Sequence, residues 1–308
     1  MPRVRSNGID IEFESFGSEA DPAILLIMGF AAQSTMWPEP LCLGLAGKGF
    51  RVIRFDNRDV GLSTHLIGEA APDAAALIGK LMKGEPIAVP YSLDDMAADA
   101  VGLLDALGIG DAHIVGASMG GMIAQLVAAR YPARARSLVS IMSTTGRRDL
   151  PQAKPEVMAV LVTPPPSFAR EDRVRTAVNV WRAIGNPGYP ESEADLRAFA
   201  EREVDRAPYE PAGLARQMAA IIAAPPRNAL LKSVHAPTLV IHGADDPLVP
   251  PAGGEDTARS VPGAELVLLP GVGHVITDAL APIYLAPIGD FLARVEADRR
   301  DRRRLARP

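Results

Sequence analysis

Serine, histidine and aspartate are the side chains from which proteins build a hydroxyl nucleophile, and one serine here stands in a spacing that suits that chemistry. Gly116-Ala117-Ser118-Met119-Gly120 has the pattern G-x-S-x-G. The apolar run Ala112-His113-Ile114-Val115 precedes it, and residues 122–129 continue with helical character. A serine on a tight strand-to-helix turn is held exposed, in a strained backbone, where its hydroxyl can attack a substrate. Glycines flank it because a side chain there would collide with the strand or the helix. The bland alternative is a glycine-rich turn with an incidental serine, and the strand-to-helix context argues against it.

A hydroxyl is a weak nucleophile. It needs a base within hydrogen-bond reach and a third group to orient that base. The candidate bases are His65, His113, His235, His242 and His274. His113 begins a strand and His235 just precedes one, which puts both at the wrong edge of a sheet. His242 ends a strand and suits a structural bond to its own loop. His65 lies at the right edge but in an early loop. His274 closes Pro270-Gly271-Val272-Gly273-His274, directly after the last strand. It also follows the serine as a Ser…Asp/Glu…His order requires, so it is the expected base.

The expected acid lies in Gly243-Ala244-Asp245-Asp246-Pro247, after the penultimate strand. Its distance from the strand favours Asp246, while Asp245 has turn capping as its alternative role. An oxyanion needs two preformed N–H donors. Met119, opening the helix, supplies one with help from the helix dipole. Phe30, in the Gly29-Phe30 loop after an early central strand, is the candidate for the second.

The elements that must position these groups follow from the patterning. Ile9-Asp10-Ile11-Glu12-Phe13-Glu14 alternates with period two, as a half-exposed edge strand does. Ala23-Ile24-Leu25-Leu26-Ile27-Met28 is continuously apolar, as a strand buried on both faces must be. Further strands fall at 51–55, 112–115, 137–142, 238–242 and 265–269, with helices over 72–83, 93–107 and 284–295. Ser92-Leu93-Asp94-Asp95 reads as a capping box for the second of these helices. Alternating strands and helices imply a mainly parallel, doubly wound α/β sheet with helices on both faces, whose ligands bind at the carboxyl ends of the strands. Gly29-Phe30, Asp56, Ser118 and Asp246 all fall at such ends. From about 146 to 233 the chain turns rich in proline and charge, with amphipathic segments near 171–184, 193–205 and 209–223 and no strands between them. That reads as a helical lid. The expected organisation is thus a core over 1–145 and 234–298, a lid over 146–233 and a basic, solvated tail over 299–308.

Composition narrows the partners. A chain of 308 residues with 48% hydrophobic residues can bury a large core. Its net charge of −5, with no large basic block in the body, argues against nucleic acid. The only cysteine is Cys42, so no intrachain disulfide can form, which fits a cytoplasmic protein. The longest apolar run, residues 23–32, is too short to span a bilayer. No metal or cofactor is expected, and the oligomeric state is open.

These motifs together resemble those of the α/β-hydrolases, in the branch of esterases, cofactor-free haloperoxidases and lactonases, and most of all an aclacinomycin methylesterase-like subgroup. The likeness rests on Gly116-Ala117-Ser118-Met119-Gly120, on His242-Gly243-Ala244-Asp245-Asp246-Pro247 and on Gly271-Val272-Gly273-His274. Asp56-Asn57-Arg58-Asp59-Val60-Gly61-Leu62-Ser63 is similar to a D-x-R-G-x-G-x-S loop, with Asp59 where glycine is usual. Met28 stands where many members have histidine, and the methylesterase-like subgroup is similar in having methionine there. The resemblance covers nearly all of 1–295 and is weakest in the insertion. It implies an ester hydrolase acting on a small-molecule ester through an acyl-enzyme on Ser118. Lactone hydrolysis and perhydrolysis are alternatives with the same three side chains, and non-catalytic binding of a small molecule is another.

Overall fold

The computed structural model describes residues 2–305. Eight strands form one sheet: β1 (Arg3–Ser6), β2 (Ile9–Phe16), β3 (Ala23–Ile27), β4 (Arg51–Phe55), β5 (Ala112–Ala117), β6 (Ala135–Ile141), β7 (Thr238–Gly243) and β8 (Glu265–Leu269). Their order in space is β1-β2-β4-β3-β5-β6-β7-β8. The β1–β2 and β2–β4 pairs are antiparallel, and every later pair is parallel. The helices are α1 (Glu39–Gly47), α2 (Ala74–Met82), α3 (Leu93–Ala106), α4 (Met119–Arg130), α5 (Pro155–Val162), α6 (Arg170–Ile184), α7 (Glu193–Arg206), α8 (Pro211–Ala223), α9 (Asn228–Leu231), α10 (Ala252–Ser260) and α11 (Ala281–Leu305).

The continuous apolar run of β3 has the reason expected. Leu25 and Ile27 pack in one core with residues of α3 and α4, while Ile24 and Leu26 pack in a second with residues of α1 and α11. Successive side chains of a strand point to opposite faces, so a strand covered on both sides must be apolar throughout. Each of these four side chains is fully buried, which stabilises the fold by about 1.5–3 kcal/mol apiece.

Three expectations change. β2 is not the edge, because β1 pairs outside it. The four residues of β1, Arg-Val-Arg-Ser, are too few and too polar to show a period. α5 was not anticipated. It starts with Pro155 at its first turn and buries only Val157, so its sequence shows no apolar stripe. The closing helix runs through Leu305, so residues 299–305 continue α11 rather than forming a loose tail. Arg299 pairs there with Asp111, at 2.5 Å. Residues 306–308 of the expected tail lie outside the described residues.

Among the described residues, the interval between β6 and β7 holds five helices and no strand. A third apolar cluster there joins Val174, Val178, Trp181, Ile184, Leu196 and Ala200 to Val275, which follows the expected base.

Candidate active site

Ser118 stands where β5 passes into α4, in a backbone conformation that only its surroundings can impose. Its φ is +56° and its ψ −120°, a region that residues with a Cβ avoid. Its N–H donates to Ile141 O at 2.9 Å, and its carbonyl accepts from Gly121 N at 2.9 Å and from Ser143 Oγ at 2.8 Å. The flanking glycines permit the turn through close packing. A Cβ on Gly116 would lie 2.1 Å from Gly120 O, and one on Gly120 would lie 2.0 Å from Ile27 O. The G-x-S-x-G spacing therefore records a helix pressed onto two strands at once.

The His274 ring reaches both partners. Its Nε2 lies 2.9 Å from Ser118 Oγ and its Nδ1 2.7 Å from Asp246 Oδ2. A carboxylate can only accept, so Nδ1 carries the proton and Nε2 is left free to accept from the serine. Asp246 is fixed in turn: Oδ1 accepts Leu248 N–H at 2.9 Å and Val249 N–H at 2.8 Å. Burial alone would raise the carboxyl pKa, yet the neighbouring charge and hydrogen bonds of His274 and His242 hold it well below the usual carboxylate range.

The competing candidates go elsewhere. Asp245 is exposed and caps the His274 loop by accepting Gly271 N–H at 2.8 Å. His242 donates from Nε2 to Val249 O at 2.8 Å, a bond to its own loop that also bounds Asp246. His113 is buried against Ser137 Oγ at 2.8 Å, and burial lowers its pKa despite the Glu296 carboxylate. His65 bonds Gly61 O at 3.0 Å, and His235 is exposed.

The loop after β3 closes over the serine. A Cβ on Gly29 would lie 3.0 Å from Ser118 Cβ, so the backbone leading into Phe30 abuts Ser118. Met119 opens α4, where N–H groups have no partner in a preceding turn. Met28 does not weaken the loop's attachment, because the anchor is its carbonyl, which accepts from Asn57 Nδ2 at 2.9 Å. Ala31 N–H donates to Gln217 Oε1 at 2.9 Å, and Ser34 N–H donates to Asp56 Oδ1 at 2.7 Å. Asp56 is thus a fastener of this loop, and it also pairs with Arg206 of α7 at 2.8 Å. Asp59 adopts φ +65°, the conformation that glycine favours. Its carboxylate grips Arg216 of α8 at 2.7 and 2.8 Å, with both side chains buried. The aspartate at this position therefore serves as a counter-ion for the insertion.

The insertion also holds the His274 loop. His274 N–H donates to Ile184 O at 2.8 Å, Gly273 N–H to Asn186 Oδ1 at 2.9 Å, and Gly188 N–H to Gly271 O at 2.8 Å. Asn186 and Gln217 escaped the reading of the sequence. Gln217 lies 186 positions from Ala31, and nothing local to either marks the contact.

Elsewhere, a polar cavity of about 380 Å³ opens at the amino ends of the strands, lined by Arg51 and Arg136 with Glu19, Asp21 and Asp111. It contains none of the site residues. Among the described residues, no group of three or more His, Cys, Asp or Glu side chains is placed to hold a metal ion, and no helix is long and apolar enough to cross a membrane.

Residues 22–278 match the family described as the alpha/beta hydrolase fold. The rhodomycin D methylesterase of Streptomyces peucetius is 28% identical over 295 residues, covering 89% of this chain and 91% of its own. The 2-hydroxymuconate semialdehyde hydrolase of a Pseudomonas species is 32% identical over 241 residues, covering 74% of this chain and 77% of its own. Among solved structures, the enol-lactonase from Burkholderia xenovorans superposes with a TM-score of 0.71 at 24% identity, covering 95% of this chain and all of that one, a likeness of fold.

Proposed function

The chain belongs to the α/β-hydrolase family, and we propose that it is a serine hydrolase of carboxylic esters that works through an acyl-enzyme on Ser118. The observation that carries the reading is the relay from Ser118 Oγ to His274 Nε2 at 2.9 Å and from His274 Nδ1 to Asp246 Oδ2 at 2.7 Å. Ser118 attacks the ester carbonyl while Nε2 takes its proton. Asp246, ionised and buried, stabilises the imidazolium and holds its tautomer. The N–H groups of Phe30 and Met119 receive the oxyanion. His274 returns the proton to the leaving alcohol, then activates the water that releases the acid.

A methyl ester is the substrate class favoured, supported by the likeness to the methylesterase from Streptomyces peucetius. Residues 146–233 act as the lid over Ser118, a role supported by their bonds to the loops of Phe30 and His274. The lone thiol of Cys42, pushed up to about 12 by burial, is inert and suits a reducing cytoplasm.

Ser118→Ala should abolish hydrolysis of p-nitrophenyl esters while leaving circular dichroism and Tm near wild type. A fluorophosphonate should label wild type at Ser118. Near-wild-type turnover by Ser118→Ala would sink the proposal. A panel of methyl, longer alkyl and lactone substrates tests the finer assignment, which fails if methyl esters rank last.

A further inference from the structure

We infer that Gln217, on α8 of the insertion, is a positioning residue that holds the oxyanion loop in its reactive shape. The inference rests on the ester-hydrolase reading of Ser118. Gln217 is fully buried, and both ends of its amide are used. Oε1 accepts Ala31 N–H at 2.9 Å, and Nε2 donates to Arg58 O at 2.8 Å. One backbone donor and one backbone acceptor thus meet a single side chain. A carboxamide suits the pair, because it presents an acceptor oxygen and a donor NH₂ on separate atoms without a charge.

Ala31 needs such a hold. Its φ of +60° lies in the left-handed region, where a residue with a Cβ is strained and persists only if its surroundings over-determine it. Ala31 directly follows Phe30. The stretch Gly29-Phe30 is bracketed by two side-chain bonds, Asn57 Nδ2 to Met28 O on one side and Ala31 N–H to Gln217 Oε1 on the other. Between these anchors lies a glycine, which has no conformational preference of its own to fix the Phe30 N–H.

The seat of Gln217 is itself fixed. Arg216, its neighbour, locks α8 to Asp59 through two bonds of 2.7 and 2.8 Å, and Arg58, whose carbonyl Gln217 holds, adjoins Asp59. Arg58 is clamped from the other side by Asp99 of α3, with both bonds at 2.6 Å. The amide of Gln217 therefore transmits a rigid frame, built from two buried ion pairs, to the loop that carries the oxyanion donor. An oxyanion donor is worth about 10²–10³ in kcat, and a displacement of about 1 Å can cost about 10²-fold.

The test uses the full chain with Gln217→Leu and Gln217→Glu, p-nitrophenyl butyrate as substrate and phenylboronic acid as inhibitor. The boronate adduct on Ser118 places an oxygen where the oxyanion forms. Gln217→Leu should lower kcat roughly 10- to 100-fold, with KM changed less than about threefold. It should weaken phenylboronic acid by a similar factor and speed hydrogen exchange at the Ala31 amide. Gln217→Glu keeps the acceptor for Ala31 and loses the donor to Arg58, so it should recover part of the kcat. The positioning role is overturned if Gln217→Leu keeps kcat within twofold, if its deficit disappears on cooling to where both proteins are fully folded, or if Ala31 exchange is unchanged. Fluorophosphonate labelling of wild type tests Ser118 separately. An unlabelled wild type refutes the hydrolase reading, and the exchange measurement still decides whether Gln217 anchors the loop.

Discussion

Replacing Asp246 by asparagine separates two jobs that one carboxylate performs. Its Oδ1 accepts two amides, Leu248 N–H at 2.9 Å and Val249 N–H at 2.8 Å. An asparagine oxygen can keep both bonds, so the loop should retain its shape. Its Oδ2 accepts Nδ1–H of His274 at 2.7 Å. An asparagine NH₂ at that place is a donor and cannot accept. The ring must then present a bare Nδ1 to the amide, which moves the proton to Nε2, facing Ser118. A protonated Nε2 cannot take the serine proton. Loss of the correct tautomer in a serine relay of this kind lowers kcat by about 10⁴-fold, or about 5.4 kcal/mol of transition-state stabilisation. Asp245→Asn is the internal control, because Asp245 is exposed and an asparagine oxygen can still accept Gly271 N–H. Steady-state hydrolysis of p-nitrophenyl butyrate, with circular dichroism on both variants, gives the comparison. A loss below about tenfold in a folded Asp246→Asn, or a larger loss in Asp245→Asn, would refute the assignment.

Asp59→Gly should destabilise the protein by about 3–5 kcal/mol in urea unfolding, since it leaves the buried Arg216 guanidinium without its counter-ion. Adding Arg216→Met should restore most of that loss. The Asp59 carboxyl, whose pKa burial would raise but Arg216 lowers overall, is ionised in the fold below its unfolded pKa. The gap between wild type and Asp59→Gly should therefore be constant from about pH 6 to 8 and shrink below about pH 4. Glu203 is shifted the other way, raised by burial despite its bond from Thr35. Its ionised form is thus disfavoured in the fold, so Glu203→Gln should raise Tm at pH 7–8, with the gain fading as acid protonates the wild type. Gly120→Ala should prevent stable folding, because its Cβ would meet Ile27 O at 2.0 Å, whereas Gly110→Ala, with nothing within 4 Å, should shift stability by less than about 0.5 kcal/mol.

Strands buried on both faces and the glycines around Ser118 were legible because each leaves a mark within a few residues. The apolar run of β3 reports two cores, and the spacing of Gly116 and Gly120 reports a helix against two strands. The order of Ser118, Asp246 and His274 could be read because each follows its own strand. The groups that hold the loops could not. Asn186 bonds a residue 87 positions away, and Gln217 one 186 positions away, in a stretch where helical amphipathicity is the only local signal. Asp59 was visible as a departure from a glycine, yet its reason, a buried arginine 157 positions on, is purely tertiary. β1 and α5 were missed because a short polar edge strand and a helix with a single buried residue show no period.

The packing of Gly273 against the insertion bears on how such proteins can be recombined. A Cβ on Gly273 would lie 1.9 Å from Gly185 O, and one on Gly188 would lie 2.7 Å from Gly271 Cα, so two stretches of backbone far apart in the chain, bonded across 87 positions at Asn186 and Gly273, share one seam. An insertion cut from another member and grafted between β6 and β7 would bring its own contour to that seam and displace the loop that carries His274. Transplanting the segment after α6 together with 271–274, as one unit in two pieces of chain, respects the seam. Natural drift in this part of the molecule is constrained in the same way: either half can change freely only where it does not touch the other, so new specificities should arise in α5 and the outer faces of α6 and α7 before they arise at residues 184–188.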